Sequence, residues 1–277
     1  MSEQTVPEII LRPKMGYARY WRDLWRYREL FLFLAWRDIA VRYKQTAIGV
    51  AWSVIRPLLT MIVFTVVFGR LAGLSSGGAP YALMVFSAML PWQFFANSLT
   101  ESSNSLVTNT NLISKVYFPR LAIPVSSVAV SFVDFAISFV ILLVLMVLYQ
   151  YPPTWRILIL PLFLALAAGL SLGGGLWMAA LNVKYRDFRY IVPFIVQLGI
   201  YISPVGFDSS IVPEQWRFLY SLNPMVGVID GFRWAILGGD FPIYMPGFLV
   251  SIGLVIVLLI GGLRYFRNTE RGFADVI

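Results

Sequence analysis

The chain has 277 residues, of which 58% are hydrophobic, 16% aromatic and only 13% charged. This composition is typical of an integral membrane protein and excludes a soluble domain with a large core. The absence of cysteine and histidine excludes disulfides, thiolate chemistry and the usual zinc and haem ligands, so we expect no metal site and no cofactor. The net charge of +8 comes from basic residues that flank apolar spans, which indicates membrane topology rather than binding to nucleic acid.

The first predicted element is a basic, aromatic helix within the N-terminal segment 1–48. Its residues recur at helical spacing on an apolar and a charged face, with Tyr17, Tyr20, Trp21, Leu24 and Trp25 on one and Arg19, Arg22, Asp23 and Arg26 on the other. Rings on one side and guanidinium groups on the other suit a helix that lies in a membrane interface and contacts lipid headgroups. The alternative, a surface helix of a soluble domain, is disfavoured by the long apolar span that follows.

Six apolar spans come next and predict an all-α membrane domain over residues 49–277. We place them at Gly49–Gly69, Pro80–Leu99, Leu121–Tyr149, Trp155–Leu181, Tyr190–Ser203 and Tyr244–Leu263. Seventeen of the 22 basic residues fall in segments 1–48, 100–120, 182–189 and 264–277. Because cytoplasmic loops retain Lys and Arg, we expect these segments, and with them both termini, on the cytoplasmic side.

The fifth span departs from a plain six-helix bundle. Ser203-Pro204 interrupts it after about 14 residues, fewer than the roughly 20 that a crossing needs. The next segment, Val205–Phe241, is too apolar for a simple loop and carries start signals for short helices at Pro213 and at Asn223-Pro224, with Gly238-Gly239 as a stop. We expect a re-entrant helical hairpin on the outer face, with an ordinary extracellular loop as the alternative.

Two polar features lie between and within the spans. The inner segment Thr100–Arg120 is rich in Ser and Asn and predicts a helix-turn that binds a cytoplasmic partner, with a solvated linker as the alternative. Asp134 is the one acid deep inside a predicted span, where a charge is costly unless it is paired or wetted. We expect a structural hydrogen bond or an ion pair with Arg56, and a proton-relay carboxylate is the alternative.

Motifs along nearly the whole chain resemble a known family. They are Arg42-Tyr43-Lys44-Gln45-Thr46, Gly49, Trp52 and Arg56-Pro57-Leu58; Pro91-Trp92 and Phe95; residues 111–119 (NLISKVYFP); residues 182–187 (NVKYRD); Leu222-Asn223-Pro224; and residues 271–277 (RGFADVI). The family is that of the permease subunits of ABC exporters for bacterial surface polysaccharides. The resemblance implies a homodimer in the bacterial inner membrane that pairs with two ATP-hydrolysing subunits and exports a lipid-linked polysaccharide such as O-antigen or capsule. Teichoic acid permeases are similar and remain an alternative.

The residues agree with this resemblance where they can be compared with it. No G-x-x-x-x-G-K-[ST] loop occurs, so the chain is not itself the ATPase, and we expect no catalytic residues. An ATP-independent secondary transporter or flippase usually carries several ionisable groups in its spans. A membrane-bound glycosyltransferase would need carboxylate clusters in its cytoplasmic segments. A neighbouring gene that encodes a phosphate-binding loop would favour the exporter over both alternatives.

An exporter of this kind needs a lumen, contacts with its ATPase and a path for the lipid phosphate, and the sequence offers candidates for each. Rings that could stack on sugars in a lumen between two copies, lined by the first and fifth spans, are Trp52, Phe64, Phe68, Trp92, Phe94, Phe95, Tyr201 and Phe207. Packing or an interfacial belt is the alternative for these rings. Candidate contacts with the ATPase subunit are Asn104, Val107, Asn111, Leu112, Ile113 and Lys115. Candidates for guiding the phosphate from the inner leaflet are Arg42, Lys44 and Arg56, with the positive-inside rule or general binding of anionic lipid as the alternative.

Overall fold

The computed structural model describes residues 22, 24–44, 47–116, 118–185, 187–238 and 241–273, and these ranges contain helices and loops without β-strands. The α-helices are α1 (Arg28–Tyr43), α2 (Ala47–Phe64), α3 (Tyr81–Thr108), α4 (Thr110–Lys115), α5 (Ala122–Leu148), α6 (Leu160–Lys184), α7 (Phe188–Ile202), α8 (Glu214–Tyr220), α9 (Pro224–Leu237) and α10 (Met245–Thr269). A π-helical turn, Thr65–Leu71, continues α2. Most of the predicted interface helix, residues 17–21 and 23, lies outside the described residues.

Five stretches of the described chain are long and apolar enough to cross a membrane. They are Ala51–Leu71, Tyr81–Thr108, Ala122–Leu148, Trp155–Lys184 and Met245–Thr269. The predicted fifth span corresponds to α7, whose 15 residues reach about 22 Å, less than the roughly 30 Å of a hydrocarbon core. The prediction of an all-helical, multi-pass membrane protein is confirmed. The count of six crossings stays a prediction.

Helix α3 is the centre of the bundle. From Ala82 to Trp92 it is apolar or small on all of its faces and every residue is buried, whereas its later turns carry a polar stripe that includes Asn97 and Glu101. A helix of this composition is stable only when other helices surround it. It packs most extensively against α6 and α5, then against α9, and more lightly against α2 and α7. The last two helices therefore lie at the perimeter.

Helix α3 also extends further than the sequence indicated. The second span was predicted to end at Leu99, but the helix continues to Thr108, into the segment predicted as a polar inner loop. Ser102, Ser103 and Ser105 of this extension are buried, and the hydroxyls of Ser103 and Ser105 donate to carbonyls of their own helix. The Ser105 hydroxyl, for example, donates to the Ser102 carbonyl at 2.7 Å. Hydropathy therefore underestimates how well this polar end packs.

Glycines set how closely α6 approaches its neighbours. A Cβ atom on Gly175 would lie 2.5 Å from the Ser102 hydroxyl of α3. A Cβ atom on Gly173 would lie 2.7 Å from the Leu259 nitrogen of α10, and one on Gly262 of α10 would lie 2.4 Å from the Gly173 oxygen. No other residue fits at these separations, so backbone contact holds α6 between α3 and α10.

The two ends of the bundle differ in composition. At one end, which we call the basic end, α1 and α4 meet the last turns of α3, α6 and α10 around a small cluster that includes Leu34, Leu106, Ile113, Phe266 and Phe273. This end gathers the Lys- and Arg-rich segments of the sequence. At the opposite end, which we call the hairpin end, α8 and α9 join α7 to α10. The main hydrophobic core runs from the middle of the bundle to this hairpin end.

The two short helices predicted between the fifth and sixth spans are present. Helix α8 follows Pro213, and α9 begins after Asn223, whose side chain accepts a hydrogen bond from the Met225 nitrogen at 3.1 Å. Helix α9 ends at Gly238, which adopts φ +94°, a conformation that glycine accepts without strain. The helix starts and the stop are confirmed, and insertion of the hairpin into a membrane stays a prediction.

Candidate functional site

A polar cluster joins α1 to α3 and α5 near the start of α2. Asp134 of α5 forms an ion pair with Arg42 of α1 at 3.0 Å and accepts a hydrogen bond from the Tyr43 hydroxyl. The Asn97 amide of α3 donates to Asp134 at 3.4 Å, and Arg42 also lies 3.5 Å from Glu101. The cluster therefore connects the end of α1 to α3 and α5, two helices of the bundle.

The partner of Asp134 is a correction to the sequence prediction, because Arg42 rather than Arg56 forms the ion pair. Helix α1 runs beside α5 and ends level with Asp134, whereas Arg56 lies about 14 Å further along α2 and is exposed. Asp134 is therefore paired across the bundle with the last turn of α1, 12 residues after the start of α5.

The Tyr43 phenol is a stable donor in this cluster. Burial, followed by the hydrogen bond to Asp134 and the negative charge of Asp134, raises the pKa of Tyr43, while the charge of Arg42 opposes the shift. The phenol therefore keeps its proton at neutral pH. Sequence reasoning gave no role to Tyr43, Asn97 or Glu101. The available signal was the i, i+4 spacing of Asn97 and Glu101, which places both on one face of α3.

Helices α2 and α7 each leave one side unpacked. The exposed residues of α2 and of the π-helical turn that continues it are mostly large and apolar. They include Trp52, Ile55, Leu59, Ile62, Val63, Val66 and Val67. Those of α7 include Tyr190, Ile191, Phe194, Ile195, Leu198, Tyr201 and Ile202. The two helices meet near the hairpin end, where the Phe64 and Tyr201 rings stack with centroids 6.1 Å apart. Arg56 lies on the exposed side of α2.

The eight rings predicted to line a channel divide into two groups. Four are at least partly exposed, namely Trp52, Phe68, Tyr201 and Phe207. The other four are buried within the chain, which corrects the prediction for them, namely Phe64, Trp92, Phe94 and Phe95. The Trp92 ring packs so closely on α7 that a Cβ atom on Gly199 would lie 2.5 Å from it. Rings in such positions stabilise the subunit itself.

The residues predicted to contact an ATPase subunit lie at or near the basic end, on α3 and α4. Asn111 and Lys115 are exposed, Asn104, Val107 and Leu112 are half-buried, and Ile113 is buried in the small cluster. The corner between α3 and α4 is fixed by Arg37 of α1, which donates to the Asn109 side chain at 2.8 Å. Lys44, the third residue predicted to guide a phosphate, is exposed just after α1.

A second ionic group, which the sequence analysis missed, is buried in the hairpin. Arg233 of α9 is 1% exposed and donates to the carbonyl oxygens of Met84 at 3.3 Å, Val205 at 3.0 Å and Phe207 at 2.7 Å. Asp230 precedes it by one turn and is 7% exposed. The sequence did contain a signal for this buried pair, because two opposite charges three residues apart lie on one face of an otherwise apolar helix. Arg233 ties α9 to α3 and to the loop after α7.

These features together define a multi-pass integral membrane protein without an obvious catalytic centre in its described part. Residues 29–237 match the family described as ABC-2 type transporter, and the chain belongs to this family. The resemblance inferred from the sequence motifs is therefore confirmed.

Several relatives within this family are named for the transport of polysaccharides. The chain is 27% identical over 259 residues to the O-antigen export system permease protein RfbA of Myxococcus xanthus, covering 92% of this chain and 98% of that protein. It is 27% identical over 253 residues to the RfbA protein of Klebsiella pneumoniae, covering 90% and 95%. It is 22% identical over 247 residues to the polysialic acid transport protein KpsM of Escherichia coli, covering 86% and 92%. These relatives are transport permeases rather than enzymes.

The Asp134 cluster yields a prediction about α1. In Asp134→Asn, the ion pair with Arg42 is lost, and we expect the free energy of unfolding to fall by about 1–2 kcal/mol, since the arginine is partly exposed. Trypsin should also cleave after Arg42 faster than in the unsubstituted chain. Thermal unfolding in detergent and timed digestion measure the two effects. The matched control is Asp187→Asn, an exposed carboxylate outside the cluster. Equal cleavage rates in both variants would contradict the role of Asp134.

Proposed function

We propose that this chain is the permease subunit of an ATP-driven exporter that moves a lipid-linked polysaccharide across the bacterial inner membrane. The relatives named for O-antigen export and polysialic acid transport support this substrate class. The sequence lacks a phosphate-binding loop, so ATP would be hydrolysed on two separate subunits. Moving a polymer requires a conduit and coupling to that hydrolysis, and it requires no catalytic residue in the permease.

In this proposal the chain crosses the membrane six times, with α7 as the short fifth crossing. The basic end is cytoplasmic, because cytoplasmic segments retain Lys and Arg, and the N-terminal amphipathic helix lies on the inner surface. Helices α8 and α9 re-enter the membrane from the outer side. The hydrogen bonds of Arg233 to loop carbonyls support this, since irregular backbone at membrane depth needs partners within the protein.

The observation that carries the proposal is an exposed arginine on a membrane span. Arg56 lies on the unpacked side of α2, one helical turn from the exposed Trp52. Ionisable side chains within spans almost always face a water-filled cavity or another protein group, because lipid does not solvate their charge. A lumen between two copies, lined by α2 and α7, would give Arg56 and the exposed rings such an environment.

The homodimer can be tested directly, because the chain has no native cysteine. Single cysteines at Ile55, Leu59, Ile62 and Val66 would sample the unpacked side of α2, and Leu249→Cys on the exposed side of α10 is the matched control. We expect a bifunctional maleimide to join two copies in native membranes from at least one α2 position and from none at Leu249. Gel electrophoresis reports the product. A shared lumen along α2 is excluded if all four α2 variants remain monomeric.

Coupling to the ATPase should depend on α4. The side chain of Lys115 is exposed there, and α3 joins α4 rigidly to the centre of the bundle. We expect Lys115→Glu to reduce the stimulation of ATPase activity about tenfold, since a reversed charge at an interface repels the partner. Val107→Pro, which breaks the last turn of α3, should have at least that effect.

The control for this experiment is Lys184→Glu, which makes the same charge change on an exposed lysine at the same end of the bundle. Purified complexes of permease and ATP-binding subunit in lipid vesicles allow ATPase activity and membrane insertion to be compared. Full stimulation in both the Lys115 and Val107 variants would refute the assignment of α4.

Entry of the lipid phosphate should involve Lys44 and Arg56. Arg42 is held by Asp134, so the exposed Lys44 would meet the phosphate first, and Arg56 would receive it inside the span. Arginine suits this step because its planar fork makes two parallel bonds to a phosphate. We expect Arg56→Lys, which keeps the charge and loses the fork, to reduce export about tenfold.

The measurement is ATP-dependent transport of defined lipid-linked glycans in vesicles that contain both subunits. Arg70→Lys, at the other end of the same exposed helix, is the control and should export normally. Wild-type export by Arg56→Lys would remove Arg56 from the substrate path.

A further inference from the structure

The hairpin end contains a polar cavity that none of the expected functions uses. Its volume is about 280 Å³, and residues from the loop after α7 and from α8, α9 and α10 form its walls. The lining is mixed, with carboxylates, hydroxyls, a guanidinium group and aromatic rings contributed by Asp208, Ser209, Arg217, Tyr220, Asp230 and Tyr244. Its volume lies near the lower end of the roughly 300–1,000 Å³ typical of ligand pockets, which suits one small polar unit.

Asp230 gives the cavity a fixed acceptor. It is 7% exposed. Burial raises the pKa of the Asp230 carboxyl to about 7, while the charge of Arg233 and a hydrogen bond from the Ser209 hydroxyl oppose this shift. The hydrogen bonds of the Arg233 guanidinium go to the backbone carbonyls of Met84, Val205 and Phe207. The carbonyl oxygen of a carboxyl group accepts hydrogen bonds in either protonation state, so Asp230 offers an acceptor to the cavity.

The cavity lining also supplies a second carboxylate and a donor in fixed positions. Asp208 accepts hydrogen bonds from the Ser210 hydroxyl at 2.7 Å and from the Ser210 nitrogen at 3.3 Å. Arg217 donates to the carbonyls of Val212 at 3.1 Å and of Ser210 at 3.2 Å, which orients its guanidinium group. These local bonds hold the polar groups in place before any ligand arrives.

The chemistry of the walls discriminates among ligands. A phosphate would be repelled by the Asp208 carboxylate, and by Asp230 whenever that group is ionised. A hard cation takes about six to eight oxygen ligands. The positively charged Arg217 lines this cavity and Arg233 lies behind it, which disfavours a cation. The described residues also contain no group of three or more acidic residues that could hold a metal. A neutral molecule with several hydroxyl groups fits both features. Its hydroxyls can donate to the carboxylates and accept from Arg217, while the Tyr244 ring offers an apolar face.

The cavity also lies beside the predicted conduit. The Tyr220 hydroxyl, in the cavity wall, donates to the Ile202 carbonyl of α7 at 2.9 Å, and the Asn223 amide donates to the Ser203 hydroxyl at 2.9 Å. A cleft lined by Ile202, Trp216 and Tyr220 adjoins it on the side of α7. Tyr220 therefore belongs to both the cavity and the surface that continues from the exposed side of α7.

We propose that this cavity binds one saccharide unit of the exported polymer as it leaves the hairpin end, an assignment that rests on the proposed function. Asp208 and Asp230 accept hydrogen bonds from sugar hydroxyls, Arg217 donates to them, and the Tyr244 ring packs against the sugar. The site gives the hairpin direct contact with the polymer at its exit, and it makes binding depend on which hydroxyls a sugar presents.

Binding of free sugars to the purified full-length chain in detergent tests this site. The probes are D-glucose, D-galactose, D-mannose, L-rhamnose and N-acetyl-D-glucosamine, measured by saturation-transfer NMR and titration calorimetry. We expect at least one to bind in the millimolar range. Asp230→Asn and Tyr244→Leu should each weaken that binding about tenfold. The matched control Tyr149→Leu, on an exposed tyrosine outside the cavity, should bind normally.

Size-exclusion profiles show whether each variant folds, and Tyr244→Leu decides alone if Asp230→Asn does not. Failure of all five probes to bind the unsubstituted chain would overturn the assignment, as would unchanged binding by Tyr244→Leu. ATP-driven export by the same preparation with its ATP-binding subunit is measured in parallel. Export without sugar binding overturns only the saccharide site, whereas sugar binding without export overturns the proposed function.

Discussion

The structure depends on the enclosure of α3. Every residue from Ala82 to Trp92 is buried, so this part of the helix needs neighbours on all sides. Helices α5, α6 and α9 supply most of that enclosure, and α6 comes close enough only because Gly175 meets Ser102 without a side chain of its own. Once these four helices are fixed, α2 and α7 are left at the perimeter with one bare side each. The surface that we assign to the conduit is thus a consequence of how the core is filled.

Two guanidinium groups then join the remaining elements to this core. Arg233 connects the hairpin through three carbonyl groups, and Arg42 connects α1 through the carboxylate of Asp134. The two guanidinium groups have different sets of partners because one is buried and the other is partly exposed. Arg233 is almost fully buried and needs a complete set of acceptors, since an unpaired buried charge is very costly. Arg42 is partly exposed, so its charge is less costly to place and the pairs with Asp134 and Glu101 need not be complete.

Much of this architecture could be predicted from the sequence, because hydropathy and helix-breaking residues are local properties. The spans followed from apolar length, and the hairpin helices followed from Pro213, Asn223 and Gly238. The partner of Asp134 could not be predicted, because it depends on α1 lying beside α5. The length of α3 was underestimated for a different reason. Its serines are polar in composition, but the Ser105 hydroxyl is satisfied within its own helix and packs as a small residue.

The aromatic residues show most clearly what the sequence cannot predict, namely which rings are buried in the subunit and which are exposed. From the sequence, Trp92 and Tyr201 were equally good candidates for lining a channel. In the structure the Trp92 ring of α3 is buried against Gly199 of α7, whereas Tyr201, two residues further along α7, is exposed. One side of α7 therefore packs against the core, and the other side is exposed. Its last turn also carries the hairpin, through the bonds of Tyr220 to Ile202 and of Asn223 to Ser203. A displacement of α7 relative to α3 must therefore carry the hairpin with it or break these bonds, which makes α7 the element that would couple the proposed conduit to the hairpin.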